Sequence, residues 1–112
     1  MRSYIEQRAM LARMEAAHAE TERHLAIVER QIAARAERMT ISTYAKTRTF
    51  GRSTSRRSRA DERDYQESLA ALRFERRGEI DALTRKLARQ AGAIAAFRVH
   101  YRMNAPSEEL AL

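Results

Sequence analysis

"YIEQRAMLARMEAAHAETERHLAIVERQIAARAERM", residues 4–39, decides the fold. With Tyr4 placed at heptad position a, the a column runs Tyr4, Leu11, His18, Leu25, Ile32, Met39. The d column runs Gln7, Met14, Thr21, Val28, Arg35. Most of these positions are apolar at alternating steps of three and four, the pattern of a packed helix or coiled coil. Ser3 with Glu6 three residues on forms a capping box and marks the start. The pattern fades at Met39, where β-branched residues follow, so the first arm is expected to span 1–39.

A second periodic stretch fills 61–104. Its later part repeats cleanly through Ile80, Leu83, Leu87, Gln90, Ile94, Phe97 and Tyr101, while Tyr65, Leu69 and Leu72 stand in a different register. The step from Leu72 through Arg76 to Ile80 is two fours in succession, a stutter that locally unwinds a supercoil. Gly78 lies within it and costs about 1 kcal/mol relative to alanine inside a helix. No capping residue precedes Gly78 to restart a helix, so one continuous helix is expected. Ser58 is read as its N-cap, with Asp61, Glu62 and Asp64 in or near the first turn. The helix should end near Asn104, before Pro106, leaving 105–112 as a short acidic tail.

Composition agrees with an all-α chain. Only Pro106 and three glycines punctuate 112 residues, too few for a sandwich or barrel. The two arms are of similar length and an intervening linker can reverse the chain. The expected fold is a long antiparallel helical hairpin, coiled-coil-like. Its packing residues are Leu11, Met14, Leu25, Val28, Ile32 and Met39 from the first arm. From the second come Leu69, Leu72, Ile80, Leu83, Leu87, Ile94, Phe97 and Tyr101. In that register Leu11 faces Ile94, Leu25 faces Ile80, and Met39 faces Tyr65. One seam between two helices is a thin core, and His18, Thr21, Arg35 and Gln90 interrupt it. Alanines at 88, 91, 93, 95 and 96 widen the apolar stripe. A second copy or a helical partner is therefore expected to complete a bundle.

Charge singles out the segment between the arms. The formal net charge is +7. Residues 40–60 hold Lys46, Arg48, Arg52, Arg56, Arg57 and Arg59 and no acidic residue, whereas both flanks mix the two signs. Tyr44 and Phe50 are interleaved with these cations. Arginine grips phosphate bidentately and stacks on bases, and aromatic rings stack as well. These eight residues are the candidate contact for a polyanion, nucleic acid included, or for an acidic protein. The plainer interpretation is a solvated loop in an arginine-rich chain. It accounts for the arginines but not for the local loss of acids. The stretch "MTISTYAKTRTF", 39–50, also suits a short β-ribbon. A loop is preferred because the stretch has no face to bury.

Signals for catalysis and cofactors are lacking. No glycine-rich phosphate loop, nucleophile elbow or cysteine occurs. Glu15 and His18 form a Glu-x-x-His pair like those of di-iron bundles, but the second arm has no counterpart. His18 is read instead as a polar seam residue that fixes register. No enzymatic activity, metal or cofactor is expected. The chain also lacks an apolar run near the ~18 residues that span a bilayer. Its start is charged too early for a secretory leader. A soluble intracellular protein without a membrane role is expected. A helical interaction protein fits best, with sequence-nonspecific nucleic-acid binding or a small inhibitor of another protein as alternatives.

Overall fold

A computed structural model describes residues 3–47 and 54–102, with side chains at 3–42 and 59–102. Three helices make up these residues: α1 Tyr4–Thr47, α2 Thr54–Glu75 and α3 Arg77–His100. No strand occurs among them. The protein is all-α, and α1 packs antiparallel against α3 in one place and against α2 in another. The chain divides into two compact units, Met1–His24 with Ala82–Leu112, and Leu25–Asp81.

In the first unit Leu11 and Ile94 are buried together, and Met14, Phe97 and Tyr101 pack against them. This is the pairing the heptad register predicts. The Phe97 and Tyr101 rings lie 4.6 Å apart, one turn from each other on α3. Leu83 is buried, and so is Thr21. The Thr21 hydroxyl donates to the Ala17 carbonyl at 3.1 Å, so its burial strands no donor. His18 reaches Glu22 on its own helix at 3.2 Å. The cap at the start of α1 is present, with the Glu6 amide donating to Ser3 Oγ at 3.2 Å.

In the second unit α1 buries Val28, Ile32 and Ala36, and α2 contributes Leu72. Here the observed seam leaves the strict heptad. Arg35 is exposed, Ala36 is fully buried, and Met39 is 41% exposed. Beyond Ile32 the buried face therefore advances by fours, through Ala36 to the half-buried Thr40. The stutter expected in the second arm has a counterpart in the first. It keeps a guanidinium out of the seam and brings a methyl in.

Helix α1 does not stop at Met39 but runs on to Thr47. Thr40 and Ile41 each cost at most about 0.7 kcal/mol relative to alanine, too little to end an established helix. The Thr40 hydroxyl also donates to the Ala36 carbonyl at 3.0 Å, as a threonine on a helix can. Residues 40–47 are thus helical, which replaces the loop expected there and the β-ribbon weighed against it, and residues 48–53 lie outside the described residues. Helix α2 begins at Thr54, so Ser58 lies inside it, and no acidic residue occupies its first turn. The run "RSTSRRSRAD", 52–61, holds several residues able to cap a helix, and an earlier start prevails over Ser58.

Arg76 alone separates α2 from α3. The i→i−4 bonding continues on both sides of it, from the Arg76 amide to the Leu72 carbonyl at 3.1 Å and from the Ile80 amide to the Arg76 carbonyl at 3.0 Å. The continuous helix expected here is interrupted at the stutter without losing its path. Helix α3 closes at His100, short of Asn104, and Arg102 takes a left-handed conformation with φ 53°. That conformation turns the chain out of the helix. Asn104, Pro106 and the acidic tail lie outside the described residues.

Candidate basic interface

The basic segment divides between two helix ends. Tyr44 and Lys46 belong to the last turns of α1, and Arg56, Arg57 and Arg59 to the first turns of α2. Arg48, Phe50 and Arg52 lie outside the described residues, as do the side chains of Tyr44, Lys46, Arg56 and Arg57. Arg59 is exposed. Instead of a twenty-residue loop, most of the cations stand on helical backbone, at spacings that a helix dictates.

The packing residues named from sequence are placed as follows. Leu11, Val28, Ile32, Leu72, Leu83 and Ile94 are buried. Met14, Leu25, Leu69, Ile80, Leu87, Phe97 and Tyr101 are half-buried. Met39 is the exception, exposed beside a groove lined by Asp64, Glu67, Ser68 and Ala71. Thr40 and Ile41 take its place opposite Tyr65, in a second groove with Glu37, Asp61 and Glu62.

A further cluster surrounds the break after α2. Arg73 donates to Glu29 Oε2 at 2.9 Å. Arg76 donates to Glu79 Oε2 at 3.0 and 2.8 Å and to Gln31 Oε1 at 3.0 Å. Arg77 donates to the Phe74 carbonyl at 2.7 Å, while its guanidinium lies 3.9 Å from the centroid of the Phe74 ring. Phe74 itself is 64% exposed. Arg63, Phe74 and Arg77 carry no weight in a linear reading, because Asp61, Glu62, Asp64, Glu67, Glu75 and Glu79 surround them in sequence. Only projection onto a helix separates the two signs.

Glu15 and His18 are each engaged with another side chain. Arg98 engages Glu15, His18 engages Glu22, and the shallow groove between them is completed by Ala91 and Ile94. Among the described residues, no three His, Asp or Glu side chains cluster as metal ligands do. Nor is any helix among them long and apolar enough to cross a membrane. A scan against family models and searches of curated proteins and of solved structures found no match.

Proposed function

We propose that the chain is a non-enzymatic helical interaction protein. Its uncovered apolar side chains hold it against a second copy or a helical partner, and its basic segment from Lys46 to Arg59 engages an anionic one. The exposure of large apolar residues carries this reading. Ile5 and Val99 are 79% and 78% exposed, and Tyr4, Ile27, Ile41 and Phe74 are exposed too. With Met39, seven large apolar residues lie open among the described residues, against six large ones and Ala36 in the core. Exposed apolar residues that adjoin one another mark an interaction site, and neighbours in sequence such as Tyr4 and Ile5 or Met39 and Ile41 are the candidates.

Sedimentation velocity at micromolar concentration tests the first half. Reversible association is expected, and Ile5→Glu with Val99→Glu should weaken it while circular dichroism keeps its helical signal. A folded wild type that sediments as a monomer at every concentration, and captures no helical partner, would sink the reading. For the second half, retention on an immobilised polyanion should be lost in the triple variant Arg56→Gln, Arg57→Gln, Arg59→Gln. Unchanged retention would remove the basic segment from the account.

A further inference from the structure

Helical order in 54–77 turns a cluster of cations into a stripe. Steps of three and four place Arg56, Arg59, Arg63, Arg73 and Arg77 on one side of the backbone, with Gln66 and Ala70 filling the positions between. From Arg59 onward every one of these residues is exposed. Residues 61, 65, 68 and 72, on the opposite side, are half-buried or buried. The bonds on either side of Arg76 carry the spacing across the break to Arg77. No carboxylate of α2 stands within the stripe, and of its arginines Arg73 alone is held by one from α1, Glu29 at 2.9 Å, among the described residues. Glu62 stands at one edge, where Gln66 donates to it at 2.9 Å, and Glu67 stands at the other, in the groove beside Met39. Among the described residues, no carboxylate pairs with Arg59 or Arg63. Arg77 spends one N–H on the Phe74 carbonyl and keeps the others.

We propose that this outward face of α2, continued to Arg77, lies along the phosphate backbone of a nucleic-acid duplex. The proposal rests on the polyanion reading of the basic segment and extends that contact from the chain reversal along a whole helix face. Its length favours a long ligand. The twenty-one steps from Arg56 to Arg77, at about 1.5 Å each, span about 32 Å, the length of roughly nine base pairs at 3.4 Å per pair. Its composition argues against a protein partner, because the centre of a protein interface is depleted of charge and this stripe holds no apolar centre. A single strand needs successive aromatic platforms for its bases. The stripe has only Phe74 at its margin, and the Arg77 guanidinium already covers that ring. What remains suits a regular ladder of phosphates, which fixes position without reading sequence.

Fluorescence anisotropy with a short mixed-sequence DNA duplex, repeated over a salt series, tests this on the full chain. Arg63→Gln with Arg77→Gln should reduce the slope of log affinity against log salt by about two. Affinity near 0.1 M salt should fall on the order of 10- to 100-fold. Arg63→Gln alone should reduce the slope by about one. Arg13→Gln with Arg30→Gln removes the same charge from α1 and should leave the slope nearly unchanged. Circular dichroism should show all variants equally helical. Equal losses from the α1 and α2 pairs would overturn the proposal. So would a slope unaffected by Arg63→Gln and Arg77→Gln while the triple variant at 56, 57 and 59 abolishes binding. That second outcome leaves the polyanion contact at the chain reversal intact. Wild type that binds neither duplex nor single strand at low salt overturns the proposal, and wild type that binds no polyanion, polyglutamate included, overturns the reading beneath it as well. Tighter binding to a single strand, lost in Phe74→Ala, or to polyglutamate of equal charge, replaces the duplex with a different ligand.

Discussion

The two halves of α1 meet partners of different build. Against α3 the seam is filled by volume: Leu11, Met14, Ile94, Phe97 and Tyr101 are all large. Against α2 the buried positions of α1 narrow to Val28, Ile32 and Ala36. Polar side chains tie the edge of each, Arg98 to Glu15 in the first and Arg73 to Glu29 and Arg76 to Gln31 in the second. One heptad pattern thus supports two ways of closing a helix pair. Large side chains interdigitate in the first. In the second the buried face of α1 tapers to Ala36, and the polar ties are Arg73 to Glu29 and Arg76 to Gln31.

Truncation of a core residue in each half should separate the two most sharply. Ile32→Ala and Leu11→Ala each fall in the range of about 2–5 kcal/mol for such changes, and the difference lies in how the site collapses. Met14 is flexible and beside Leu11, so it can move into the space left there. Val28 and Ala36, which share the buried face with Ile32, are too small to do so. Urea denaturation should therefore place Ile32→Ala toward the high end and Leu11→Ala toward the low end. The opposite order would mean that the α2 half is the more plastic one.

A gain of about 1 kcal/mol is expected from Gly78→Ala, measured by thermal unfolding. A Cβ there would meet nothing within 4 Å, so no steric cost offsets the better helix propensity. Gly92→Ala meets equally open space and should gain about as much. A loss at position 78 with a gain at 92 would show that the break after α2 depends on glycine and not on the stutter. Smallest of all is the Arg73–Glu29 pair. Both side chains are more than a third exposed, at 57% and 37%, so a double-mutant cycle should return only about 0.2–1 kcal/mol. A larger coupling would make the polar margin a principal source of stability in that half.

Sequence periodicity reveals the seam wherever apolar residues are large and regularly spaced, as from Leu11 to Ile32 and from Ile80 to Tyr101. It fails at Arg35 and Ala36. Alanine is a weak marker of burial, and an arginine in a d column looks like one more polar interruption. The segment from 40 to 60 is harder still. Threonine and serine serve equally well in turns, strands, caps and helix interiors, and only the surrounding helix selects among these roles. The outward stripe of α2 escapes a linear reading for another reason. Any short window containing Arg63 or Arg77 also contains acids, so local charge nearly cancels. Knowledge that the backbone is helical through Thr54–Glu75 resolves the mixture into sides.

Ala36 has no exposed surface at all. Its methyl group therefore acts as a gauge for the gap between backbones, and whatever occupies this locus sets that gap. Glycine would fit but loosen the helix, serine would need an acceptor, and anything bulkier would wedge the pair apart. Genetic drift here has an alphabet of very few letters, while the adjacent positions 35 and 37, both open to water, can vary freely.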